Sequence, residues 1–202
     1  MRLFWSASNA LLTNKLKDHF VVNLCRRAST SKRFKKERQD ILEYYHPDNV
    51  IVQIGITDCA PHYFSKNMIL LLSKAPKNIR NLIYLFKKKY SVRKKSNCYT
   101  SLKNFRINYE NYIQRCQEYK VKKIILILIA KPSESFKIKS PYIKEQVDKY
   151  NEVLVSLGKK YTNVHCLDPF DDNIDSYYID DFHVDINGQR LLCEQIINKL
   201  YD

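Results

Sequence analysis

Five short runs rich in Val, Ile and Leu constrain this chain more than any other feature: Arg2–Trp5, Phe20–Leu24, Val50–Ile54, Lys123–Ile129 and Asn163–Leu167. None alternates apolar with polar residues, and a strand that does not alternate has both faces covered, as in an interior parallel sheet. The segments between them are amphipathic. Ser31–Tyr45 spaces Phe34, Ile41, Leu42 and Tyr45 among charges and stops at His46-Pro47-Asp48, a helix end before the next strand. Leu102–Tyr119, Tyr142–Leu157 and Asn187–Leu200 carry the same helical pattern. Strand followed by helix, repeated, predicts an α/β protein: a three-layer α/β/α sandwich around a five-stranded parallel sheet.

A chain of 202 residues that is 45% hydrophobic buries one substantial core. With only 3 Gly and 6 Pro, spread out, no linker can be placed, and residues 1–202 read as a single domain. A longer region between the third and fourth strands, residues 60–119, reads as a helical insertion. It includes the basic stretch Lys87–Lys95.

The 35 Lys and Arg against 21 Asp and Glu give a formal charge of +14, which favours anionic partners without naming one: nucleic acid, acidic glycan and acidic lipid all qualify. The basic clusters are mixed with apolar periodicity, as on solvated helix faces. No zinc-finger spacing or aromatic RNA-binding signature accompanies them, so no nucleic-acid partner is expected. The cysteines Cys25, Cys59, Cys98, Cys116, Cys166 and Cys193 form no CxxC pair, and several sit in apolar runs, as reduced thiols do. The opening MRLFWSASNALL lacks an extended apolar region of the secretory kind. The most apolar run, Ile124–Ala130, falls far short of the roughly 20 residues that cross a bilayer. These features lead us to expect a soluble cytoplasmic protein without a membrane span.

In an open α/β sheet the functional residues follow the carboxyl ends of the strands. Asp180-Asp181-Phe182-His183 is the strongest such motif. A carboxylate three residues before a histidine can hold the ring and leave one nitrogen free as a base. The competing reading is a surface-loop histidine near acidic residues. Ser6-Ala7-Ser8-Asn9-Ala10 follows the first run; a serine there either meets backbone N–H groups able to receive an oxyanion or simply caps the helix. Asn23 to Ser31 follows the second run. Gly55-Ile56-Thr57-Asp58-Cys59-Ala60-Pro61 follows the third, its glycine permitting close backbone approach. Cys59 reads as a packing residue, and Asp58 either holds its loop or contacts substrate.

Four motifs ordered Ser, turn, Gly-x-x-Asp and Asp-x-x-His resemble the four blocks of the SGNH (GDSL-like) hydrolases across nearly the whole chain. They are most similar to compact members from bacterial surface-polysaccharide gene clusters. The resemblance implies the flavodoxin-like SGNH fold, with Ser8 as nucleophile, His183 as general base and then acid, and Asp180 fixing the imidazole. It places the oxyanion against the N–H groups of Ser8 and Ala28, the latter where the family usually has glycine. Thr57 stands where the usual third donor is an asparagine, and Ser6 and Ala7 stand where the first block has Gly and Asp. One lost oxyanion donor costs roughly 3–4 kcal/mol in well-studied enzymes, so these departures bear on rate. The function implied is a serine esterase that removes an acyl group, acetyl foremost, from a carbohydrate or glycan precursor. No metal or organic cofactor is called for. An O-acyltransferase using the same triad and a catalytically degraded sugar-binding or assembly protein are the alternatives.

Overall fold

The computed structural model describes residues 11–24, 26, 28–36, 39–64, 66–90, 98–170 and 174–202. The first predicted strand, Arg2–Trp5, and the Ser6–Ala10 motif with Ser8 lie outside the described residues.

Among the described residues the sheet has three parallel strands in the order β1 (Asn49–Val52), β2 (Lys123–Ile127) and β3 (Val164–Leu167). Val50 pairs with Ile124 and Leu126 with Cys166 in register. Of the five expected strands, the described residues show three, and the expectation of a strand at 20–24 is corrected. Residues 20–24 make no ladder, and Phe20 is 86% exposed. Apolar content alone does not make a strand; backbone pairing with a neighbour does.

The helices are α1 (Arg33–Lys36), α2 (Gln39–Tyr45), α3 (Ile56–Cys59), α4 (Lys66–Ser73), α5 (Lys77–Tyr90), α6 (Leu102–Glu118), α7 (Glu134–Lys139), α8 (Ile143–Lys160) and α9 (Ile186–Tyr201). Residues 11–15 are also helical. α2 stops where the sequence indicates, with His46 in the left-handed region at φ 41° and its N–H bonded to Leu42 O at 3.1 Å.

β2 shows why its run does not alternate. Ile124 and Leu126 pack into one core with Phe105, Tyr109 and Ile113 of α6 and Val147 and Leu154 of α8. Ile125 and Ile127 point the other way, into a second core with Leu12, Leu16, Phe170 and Leu192, Cys193 and Ile196 of α9. All four β2 residues are essentially inaccessible, so the central strand is apolar on both sides. Helices above and below a parallel sheet make the α/β/α arrangement, and the loops at the strands' carboxyl ends carry the site.

Candidate active site

After β3 the chain passes through a 3-10 turn, Ile174–Tyr177, and enters a tight loop ahead of α9. Tyr178 and Val184 form an antiparallel bridge; Ile179 N–H donates to His183 O at 2.9 Å and Asp185 N–H to Tyr177 O at 2.6 Å. Inside this closed loop Asp180 does two things at once. Its Oδ1 accepts the backbone N–H groups of Phe182 (3.0 Å) and His183 (2.8 Å), and its Oδ2 lies 2.6 Å from His183 Nδ1. The main-chain bonds fix the carboxylate, and the carboxylate fixes the ring. With Nδ1–H donated to Asp180, Nε2 carries the lone pair. Partial burial raises the Asp180 carboxyl, but the N–H bonds from Phe182 and from the backbone and ring of His183 outweigh it and hold it below its ordinary value. The imidazole is half-buried, with Phe182 4.4 Å from it between ring centroids.

Residues that the sequence reading missed brace this loop. Asp181 accepts from Ser135 Oγ at 2.8 Å and Lys139 Nζ at 2.7 Å, and its backbone carbonyl accepts from Ser133 Oγ at 3.0 Å. The Tyr178 hydroxyl donates to Lys131 O. The histidine loop is thus tied to the segment that follows β2, some forty residues earlier in sequence, and no local pattern announces such a pairing. On its other side, Asp185 caps α9 by accepting from Asn187 N (2.9 Å) and Gly188 N (2.8 Å). Gly188 packs so closely that a Cβ there would lie 3.0 Å from the Cβ atoms of Tyr177 and Val184.

The third motif follows β1. A Cβ on Gly55 would stand 2.5 Å from Ile129 Cδ1 and Cγ1. Ile129 cannot drift away easily, because the Asn151 side chain brackets its backbone with two 2.8 Å hydrogen bonds. Close approach rather than turn geometry accounts for this glycine. α3 then begins, with half-buried Thr57 in it.

Asp58 is fully buried and accepts Ser31 N–H at both oxygens (3.1 and 2.9 Å) and Ser31 Oγ–H at 2.8 Å; Ser31 Oγ in turn accepts from Asn108 Nδ2 at 3.0 Å. Burial pushes its carboxyl above the ordinary value. The Ser31 bonds oppose that shift, and so does the Thr100 hydroxyl, which stands beside it without reaching hydrogen-bond geometry. Of the two expectations for Asp58, the structure supports holding its loop; a carboxylate with no exposed surface does not offer itself to substrate. What it holds is the second motif, and Ala28 lies there, exposed, at φ 55°. That left-handed conformation suits glycine, so Ala28 keeps the backbone shape its position demands despite the Cβ. Cys59 is fully buried, burial lifts its thiol well above the usual range, and it packs in the core.

The structure therefore joins Asp180 to His183 and ties the second motif to the third through Ser31 and Asp58. A separate shallow depression lined by Gly158, Val164, His165, Cys166 and Lys199 holds none of the expected site residues. Among the described residues no cluster of three or more His, Cys, Asp or Glu is placed to hold a metal, and no helix is long and apolar enough to cross a membrane.

The sequence matches no protein-family model and no curated protein. The fold does have counterparts among solved structures. It is similar to a catalytic mutant of Axe2, an acetylxylan esterase from Geobacillus stearothermophilus, with a TM-score of 0.63 at 17% identity over 96% of this chain and 80% of that one. It is also similar to LAE5, an alpha/beta hydrolase enzyme from the metagenome of Lake Arreo, Spain, with a TM-score of 0.60 at 14% identity over 96% of this chain and 79% of that one. At these identities the likeness is one of fold.

Proposed function

We propose that this chain is a serine esterase of the SGNH type that removes an acyl group, in our reading acetyl, from a carbohydrate or glycan precursor. The observation that carries the reading is the 2.6 Å contact between His183 Nδ1 and an Asp180 carboxylate already fixed by two backbone N–H groups. It sits beyond the strand ends of a fold shared with an acetylxylan esterase.

In this reading Nε2 of His183 takes the Ser8 hydroxyl proton as Oγ bonds the ester carbon. The tetrahedral intermediate expels the sugar alkoxide, which receives that proton, leaving an acyl-serine. Water then attacks, giving its proton to the same nitrogen; collapse releases the carboxylic acid and restores Ser8. Asp180 stays ionised and stabilises the imidazolium. The N–H groups of Ser8 and Ala28 receive the oxyanion, with the Thr57 hydroxyl as a weaker third donor than an asparagine. Ser8 enters this scheme through its sequence motif.

Hydrolysis of p-nitrophenyl acetate and of acetylated sugars by the native chain, Ser8→Ala and His183→Ala tests it, with folding of each checked by circular dichroism. Activity abolished in both folded variants is the expected result. Undiminished turnover in either rules the triad out. Acetyl transfer to an added sugar in place of hydrolysis would show an acyltransferase.

A further inference from the structure

Phe182 is a large apolar side chain that the esterase chemistry leaves unused. It belongs to neither core and is 45% exposed, although it stands directly before His183 in the chain. Its place is nevertheless held from several sides. Its own N–H donates to Asp180 Oδ1 at 3.0 Å, Asp181 before it is bound to Ser135 and Lys139 of α7, and His183 after it is bound to Asp180. The ring rests against Phe136 of α7, 5.7 Å away between centroids and itself only 2% exposed, and against the His183 imidazole at 4.4 Å. Single exposed phenylalanines are ordinary on protein surfaces. What sets this one apart is a fixed position beside a base.

The esterase reading says which part of a substrate meets it. His183 Nε2 delivers its proton to the departing sugar oxygen, so that oxygen lies within about 3 Å of the imidazole at the moment of transfer. The acyl carbon is held instead by Ser8 Oγ and the oxyanion donors. The sugar ring bonded to the departing oxygen then comes within reach of a side chain centred 4.4 Å from the imidazole. A pyranose offers the surface that such a ring accepts: a face of C–H groups made slightly positive by neighbouring oxygens, set against the negative face of an aromatic ring, with hydroxyls around the rim that stay in water. A long acyl chain calls for an enclosed apolar slot, which a ring this exposed does not provide.

We propose that Phe182 is the platform on which the sugar part of the substrate stacks, a specificity-determining contact that favours pyranose esters over simple alkyl esters. The proposal takes its substrate from the esterase reading.

Initial rates on the tetraacetate of methyl glucopyranoside and on ethyl acetate, measured for the native chain, Phe182→Leu and Phe182→Tyr with folding checked by circular dichroism, give the ratio of the two kcat/KM values. Phe182→Leu keeps apolar bulk and removes the flat face. The ratio falls about tenfold or more, mainly through KM for the sugar ester, while Phe182→Tyr holds it within about threefold of native. A ratio unmoved by Phe182→Leu overturns the platform, as does a loss shared equally by both esters, which would mean that the ring only steadies His183. If the native chain cleaves neither ester, the esterase reading fails, and saturation-transfer NMR with the same glucoside still tests the platform. Contact with the glucoside's ring hydrogens that Phe182→Leu abolishes upholds it, and absence of contact overturns it.

Discussion

Replacing Asp58 with asparagine keeps the side chain's shape and removes its charge, which makes it a direct test of how the second and third motifs are held together. In the native chain Ser31 presents an N–H and an O–H to two carboxylate oxygens at 2.8 to 3.1 Å, in a place with no solvent. An amide offers one oxygen in place of two. Turned to receive the Ser31 hydroxyl, its oxygen keeps the 3.1 Å bond from the Ser31 N–H, but its own NH2 then faces that N–H across 2.9 Å and has nothing to donate to there; turned the other way, it leaves the hydroxyl proton without an acceptor. Either choice strands one buried donor, a loss of about 1–3 kcal/mol. Taking about 2 kcal/mol at neutral pH and a typical urea slope of about 2 kcal/mol/M, the unfolding midpoint falls by about 1 M. The pH dependence supplies a second check. Burial raises the folded-state value above the ordinary 3.8, so between those values the folded state holds more protons than the unfolded. Stability from this group is then greatest below 3.8 and declines as pH rises through the folded value. The asparagine variant has no such decline, so its deficit against the native chain is largest in acid and narrows as pH rises. Urea titrations followed by circular dichroism at several pH values measure both. A midpoint unmoved within about 0.2 M, or a deficit that widens with rising pH, would falsify the account.

Two further substitutions separate the site's parts. Asp180→Asn retains an oxygen for the Phe182 and His183 backbone N–H groups but turns an NH2 toward His183 Nδ1, favouring the wrong tautomer; kcat on p-nitrophenyl acetate should drop about 10³-fold or more with KM little changed. A loss below about tenfold would mean the pair does not orient a base. Ala28→Gly relieves a left-handed Cβ conflict of about 1–2 kcal/mol and gives back about 0.5–1 kcal/mol as extra freedom in the unfolded chain, so a gain of about 0.5–1 kcal/mol is expected in chemical denaturation. A net destabilisation would show that the methyl group makes a contact worth more than the strain.

Much of the fold is legible in the order of residues because it follows from local rules. The run Lys123–Ile129 is apolar without alternation, and β2 is indeed covered on both faces. Helices expected at Leu102–Tyr119, Tyr142–Leu157 and Asn187–Leu200 occur at Leu102–Glu118, Ile143–Lys160 and Ile186–Tyr201, since their periodicity and boundaries are properties of a few neighbouring side chains. The Asp180–His183 contact is of the same kind: a spacing of three lets one carboxylate reach a backbone N–H and the ring above it. Residues 20–24 show the limit, because a strand is completed by a partner elsewhere in the chain and hydrophobicity does not name one.

What joins residues distant in sequence was decided only by the tertiary structure. Asp58 was legible as a candidate, but that it is enclosed and bound to Ser31 follows from how α3, α6 and the second motif pack. Asp181 gave no sign of meeting Ser135 and Lys139. A run of sequence records what its own neighbours favour, and which loops meet is set by how the helices and strands pack.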